Sequence, residues 1–256
     1  MKGITMSVTQ PPSESPTASI GPVHQAMSVT SNATASANQP VRTLGPSTDG
    51  ALPGARSVFG QVMGLVALTV GSTALGAYVG RDLSGGAGLL FFIGAFACIF
   101  GLNAASSRGR EQLAIGFLFG LGLLLGLAVA PVIAAYANAD PAALWQAAGA
   151  TAAFVAALGA FGYATRRDLS RWARAFFWAL VGLIVFGTVL IFVSIPNANV
   201  VYAVAGLVIF GGFTVIDFNR IHRSGVGDAV PLAAGIFLDV FNVFLLMLEL
   251  FGGQER

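Results

Sequence analysis

From Val58 onward the chain is a succession of apolar stretches, each close to the roughly 20 residues a helix needs to cross a hydrocarbon core of about 30 Å. Their approximate limits are 58–80, 87–106, 112–136, 142–164, 173–195, 198–219 and 230–251, seven in all. Every backbone N–H and C=O in lipid must be paired internally, which leaves helices or closed barrels. Runs such as FGLGLLLGLAV lack the inside/outside alternation of a barrel strand. The expected fold is therefore all-α, a polytopic membrane bundle of seven transmembrane segments. A water-facing globule is excluded by composition. Only 9% of residues are charged and mean hydropathy is +0.79, whereas a soluble domain carries about 25% charged residues.

Residues 1–56 are rich in Ser, Thr, Pro, Ala, Asn and Gln and contain no aromatic residue. They read as a disordered N-terminal tail, preceding a transmembrane domain over 57–256. The tail lacks the basic start and apolar run of a secretory signal, so it is expected to be retained. Eleven of the 13 Lys and Arg residues fall in the tail and in alternate loops: Lys2, Arg42 and Arg56, then Arg108 and Arg110, then Arg166, Arg167, Arg171 and Arg174, then Arg220 and Arg223. The positive-inside rule then puts the N-terminus in the cytoplasm. Arg outnumbers Lys twelve to one beside abundant Ala and Gly, a compositional sign of a GC-rich bacterial genome and hence of an inner-membrane protein. A net charge of +2 is too balanced for a nucleic-acid binder. The lone Cys98 allows neither an internal disulfide nor a cysteine metal cluster. Gly116, Gly120, Gly122 and Gly126 are expected to mark helix-packing faces.

Against this background, ionisable residues inside apolar segments carry the functional signal. An ionised carboxylate at the bilayer centre costs at least about 2.5–3.5 kcal/mol. Asp217 lies near the end of the sixth segment and Asp239 within the seventh, while Glu249 sits near the exit of that segment, where solvation accounts for it. Apart from Arg174 at the very start of the fifth, no Lys or Arg lies inside any span. Neutralisation must come from a shared proton, from a loop-end arginine such as Arg108 or Arg110, or from a bound cation. If Asp217 and Asp239 sit on neighbouring helices, they share a proton and titrate as a coupled unit. Such a pair also suits a hard cation, and Ca²⁺ tolerates irregular oxygen coordination better than Mg²⁺. Asn219 follows Asp217 closely, and Asn242 lies at i+3 from Asp239 on the same helix face, so both could add oxygens or hydrogen bonds. The alternative is that both acids are neutral hydrogen-bonders locking two helices. His24 and His222 lie in the tail and a basic loop, so no histidine metal site is expected. No Ser/His/Asp or Cys/His set is visible, so enzymatic activity is not expected.

Four pieces of sequence, in order, resemble one family. FLDVFNVFLLMLELFG at the C-terminus is similar to the closing signature of the transmembrane Bax-inhibitor-motif proteins. GLAVAPVIAAY from Gly126, RRDLSRW from Arg166 and TVIDFNRI from Thr214 are similar to the family's third-helix, loop and sixth-helix patterns. The resemblance covers about 58–252. It implies six outer helices around a central seventh, which either spans or re-enters, and a pH-sensitive cation leak, chiefly of Ca²⁺. The family's acid pair would fall on Asp217 and Asp239, and its second-helix arginine latch on Arg108 or Arg110. Gly109 and Glu111 thin the basic cluster there relative to the family.

The reading is thus a Ca²⁺ leak channel gated by a buried aspartate pair, whose partners are the bilayer, Ca²⁺ and protons. Ca²⁺ is permeant or bound ion, and no other cofactor is expected. The alternative is a non-conducting regulatory or scaffold membrane protein that binds other proteins. A proton-coupled secondary transporter would show internal inverted repeats, which the sequence does not display.

Overall fold

The structure, a computed structural model, describes residues 53–83, 86–193 and 196–252. Seven helices run through them: α1 Pro53–Val79, α2 Ala87–Ser107, α3 Glu111–Ala139, α4 Pro141–Ala164, α5 Ser170–Phe192, α6 Ala198–Ile221 and α7 Ala229–Gly252. Each has the length and hydropathy of a membrane span, and no strand occurs among the described residues. The tail reading concerns residues outside this set, apart from 53–56, which open α1.

Local chemistry sets the helix ends. Asp140 Oδ1 accepts the Ala143 N–H at 3.1 Å and Pro141 follows at the first helical position. That N-cap pairing lets α4 start immediately after α3. Between α2 and α3, Gly109 adopts φ +67, a left-handed turn that glycine enters without steric cost. Hydropathy places the fifth span at 173–195, but the helix covers Ser170–Phe192 and the chain is extended at Val193. The apolar character outlasts the helical geometry there. The sixth helix runs two residues beyond the hydropathy boundary, to Ile221, so Asp217 lies inside a regular turn rather than at a frayed end.

α7 is the centre of the bundle. It packs against α1, α2, α3, α4 and α6, and half of its 24 residues are buried. It is one uninterrupted helix, and 24 residues at 1.5 Å each reach about 36 Å, long enough to cross a hydrocarbon core. Phe237, Ile236 and Val243 are almost wholly enclosed. By contrast α5 packs chiefly on α6 and leaves Ile184, Val185 and Ile191 exposed, as lipid-facing side chains should be.

Close backbone approach explains two of the four marked glycines. A Cβ at Gly122 would lie 2.7 Å from the Thr69 carbonyl oxygen, and one at Gly126 would collide with the Thr73 carbonyl, so α3 presses directly on α1. Gly116 faces open space and Gly120 only the Cys98 sulfur at 3.5 Å. A glycine count along one helix cannot say which glycines meet a neighbour.

Candidate functional site

The loops α2–α3, α4–α5 and α6–α7 carry Arg108, Arg110, Arg166, Arg167 and Arg223, and the adjacent helix ends carry Arg171, Arg174 and Arg220. Alternating helix direction gathers these at one end of the bundle. Inside that end the α6/α7 seam holds both aspartates.

Asp217 is 9% exposed and Asp239 is 5% exposed. Asp217 Oδ2 occupies the space that a Cβ at Gly235 would fill. Gly235 and Asp239 are four residues apart on α7 and so share a helix face. The Asp217 carboxylate therefore sits against α7 one turn before Asp239. The sequence-predicted pair is brought together, and the residue that permits it is a glycine that hydropathy reading did not single out.

The partners of the two acids differ. Asp217 Oδ1 lies 3.4 Å from Arg220 Nη1, three residues on along α6. Arg220 is half exposed, and a single long contact of this kind contributes little to stability. Asp239 Oδ2 is buried without any hydrogen-bond partner. Thr214 lies beside the Asp239 carboxyl and is completely buried, but its hydroxyl donates to the Phe210 carbonyl at 2.9 Å. An orphaned buried oxygen next to a second carboxylate is an expensive arrangement unless a proton or a cation completes it.

The other predicted residues fall elsewhere. Arg108 Nη1 donates to the Ala104 carbonyl of its own helix at 3.2 Å, and Arg110 precedes α3 in an exposed turn. The arginine on Asp217 is Arg220, which the i, i+3 spacing on α6 could have revealed. Asn219 is 1% exposed and fully committed. Its Nδ2 donates to the carbonyls of Thr165 (2.5 Å) and Gly162 (3.3 Å), and its Oδ1 accepts from the Leu169 N–H at 3.4 Å. It clamps the end of α4 and the following loop instead of adding oxygens to the acid pair. Asn242 Nδ2 donates to the Leu238 carbonyl, one turn back, at 2.7 Å. Glu249 lies at the other end of α7, half-buried in a pocket with Tyr202, Asn199 and Thr188.

Two further contacts brace the arginine-rich end. His222 Nε2 lies 2.6 Å from the Tyr163 carbonyl oxygen, which makes Nε2 the protonated nitrogen, and the two rings stack with centroids 4.0 Å apart. Arg223 Nη1 donates to Asp168 Oδ1 at 2.7 Å. The Ser170 backbone N–H, with Arg223 adding its charge, holds the Asp168 carboxyl below the usual carboxylate range.

The donor set limits what ion the seam could hold. Ca²⁺ takes six to eight oxygens, and the seam offers two carboxylates, with the Asn219 oxygen already accepting from Leu169 and Asn242 bonded through its Nδ2 alone. No group of three or more His, Cys, Asp or Glu side chains with metal-site geometry occurs among the described residues.

The chain is similar to several bacterial proteins. An uncharacterized protein of Helicobacter pylori strain 26695 is 28% identical over 164 residues, covering 64% of this chain and 70% of the relative. An uncharacterized membrane protein of Streptococcus pyogenes serotype M1 is 29% identical over 160 residues, covering 59% and 69%. A Chlamydia muridarum uncharacterized protein is 27% identical over 232 residues, covering 81% and 95%. The model of the family described as inhibitor of apoptosis-promoting Bax1 matches residues 55–256. That match spans most of the chain, which therefore belongs to the Bax1-I family.

Proposed function

We propose that the protein is a pH-sensitive cation pathway of a bacterial inner membrane, carrying Ca²⁺ past a gate formed by Asp217 and Asp239. The observation that carries this reading is the unpartnered, buried Asp239 oxygen beside the Asp217 carboxylate. Two carboxylates in one apolar seam cannot both stay ionised and unaccompanied. A shared proton neutralises them and leaves the seam shut to cations, whereas a divalent cation neutralises them by displacing the proton. The two ions compete for one site, so pH enters the transport step directly. Arg220 is the internal cation beside Asp217, and it leaves Asp239 to the proton or the cation.

The arginine-rich end faces the cytoplasm in this reading, with the N-terminus on the same side, because positively charged loops are retained there. The protein acts as a conduit, with Ca²⁺ and protons as cargo and competitor and no catalytic group involved. Purified protein in liposomes loaded with a Ca²⁺ indicator tests this. Uptake above that of protein-free liposomes, lost or altered in pH dependence in Asp217→Asn and Asp239→Asn, is the expected result. A folded protein that passes no Ca²⁺ contradicts it and points to a regulatory or scaffold role.

A further inference from the structure

Every polar side chain of α7 lies on one stripe. Asp239, Asn242 and Glu249 are its only three. With Gly235 and Leu246 they follow successive spacings of four, three, four and three, which keep residues on a single helix face. α6 supplies the facing residues. Asp217 fills the space at Gly235, and a Cβ at Gly206 would lie 2.7 Å from Leu246 Cδ1. Thr214 lies beside Asp239, and Tyr202 lines one pocket with Glu249. The seam that encloses the acid pair therefore runs on toward the end of the bundle opposite the arginine-rich loops. Leu246, seated on Gly206 and buried, closes it between the two polar stretches.

Beyond Leu246 the stripe ends in an open pocket of about 480 Å³ that includes Glu249, Tyr202, Asn199 and Thr188. Glu249 is half-buried near the end of α7, and Asn199 is the second residue of α6. A Cβ at Gly187 would lie 2.9 Å from Tyr202 Cε2, so a bare backbone on α5 is what lets the tyrosine ring settle there. The Thr188 hydroxyl donates to the Ile184 carbonyl at 2.8 Å, which leaves its oxygen lone pairs open. Carboxylate, phenol, amide and hydroxyl thus offer oxygens to one space, and among the described residues no Lys or Arg lines it. An ionised carboxylate beside Ile184, Leu190 and Ile191 is costly without a counter-charge.

We infer that this pocket is a second cation site, in which Glu249 holds a divalent cation, still carrying its water shell, at the far mouth of the α6/α7 seam. Its place in a transport path rests on the reading proposed above, whereas the binding itself does not. The pocket has the size for it. Six to eight waters at about 30 Å³ each occupy roughly 180–240 Å³, well within the 480 Å³ present. One carboxylate with neutral oxygens around it binds such an ion weakly, as a site that loads and releases must. Glu249 lies ten residues from Asp239 along α7, about 15 Å, so the two sites are separate stations with Leu246 between them.

Tb³⁺, an oxygen-seeking stand-in for Ca²⁺ whose luminescence is excited through nearby aromatic rings, reads the site without any flux. The full chain carrying Asp217→Asn/Asp239→Asn, in uncharged detergent, removes the acid pair from the signal. It should bind Tb³⁺ that millimolar Ca²⁺ displaces. Adding Glu249→Gln, which keeps the side-chain shape, should weaken Tb³⁺ binding about tenfold through the lost charge. Glu249→Asp should retain it, and so should Asp82→Asn, at an exposed carboxylate of the same end. Equal binding with and without Glu249→Gln overturns the inference, as does a folded protein whose Tb³⁺ signal is absent or indifferent to Ca²⁺. With the acid pair intact, Glu249→Gln should raise the Ca²⁺ concentration for half-maximal uptake into liposomes about threefold or more. Glu249-dependent Tb³⁺ binding in a protein that passes no Ca²⁺ upholds the site and contradicts the transport reading alone.

Discussion

The Asp217 carboxylate lies in the space left by the missing side chain of Gly235. That relationship brings an acid on α6 onto the face of α7 that also carries Asp239, within a seam where both are buried. The acid pair is thus assembled by a small residue on one helix admitting a polar one from the next.

Gly235→Ala puts a methyl group where Asp217 Oδ2 sits. The carboxylate must swing away from α7, which separates the acids and overpacks the seam by about 1–3 kcal/mol. Ca²⁺ uptake should fall and its pH dependence weaken, with a measurable drop in thermal stability in detergent. Gly71→Ala, at a position with nothing within 4 Å of the added Cβ, should change neither.

Arg220 and Arg108 separate cleanly as candidates for the cation that latches the pair. Arg220 is the one in contact with Asp217, at 3.4 Å, while Arg108 bonds its own helix. Arg220→Gln should therefore shift the pH profile of Ca²⁺ uptake, and Arg108→Gln should leave it in place. The reverse ranking in side-by-side flux assays would locate the latch on α2.

Asn219→Ala leaves the Gly162 and Thr165 carbonyls and the Leu169 N–H without the partner they have now. Losing a buried polar partner costs about 1–3 kcal/mol. The expected outcome is a lower melting temperature and faster hydrogen exchange at the α4–α5 loop. A role at the ion would instead change selectivity at unaltered stability.

The Arg223–Asp168 tether has a pH window of its own. The native Asp168 carboxyl is held low, chiefly by the Ser170 N–H, so its contribution is fully present above the ordinary carboxylate pKa of about 4 and is lost as pH falls through the lowered native value. Both groups are largely exposed, so salt weakens the tether as well. Hydrogen exchange in the α4–α5 loop should rise below that range in the wild type, and Asp168→Asn should show the raised rate at neutral pH.

Hydropathy made the seven spans readable because the bilayer demands length and apolarity of each one separately, and helix ends moved by only a few residues where capping and extended backbone overrode composition, as at Val193. The acid pair was equally visible, since a carboxylate in an apolar run stands out without any tertiary information. What each polar side chain touches was not. Asn219 reads as a neighbour of Asp217 along the chain, yet a helix turns the two to different faces and sends the amide to α4, more than fifty residues away. Gly235 looks like any other glycine in an apolar helix until the partner helix is in place.

Competition between protons and Ca²⁺ at one carboxylate pair is the central claim, and the most direct measurement is Ca²⁺ uptake into proteoliposomes between about pH 5 and 8, for wild type and the Asp217→Asn/Asp239→Asn double variant. The wild type should show a pH-dependent flux whose midpoint moves when external Ca²⁺ is raised, and the double variant should lose both features while remaining folded. A double variant with the wild-type profile would contradict it, because the pH response would then arise outside the α6/α7 seam.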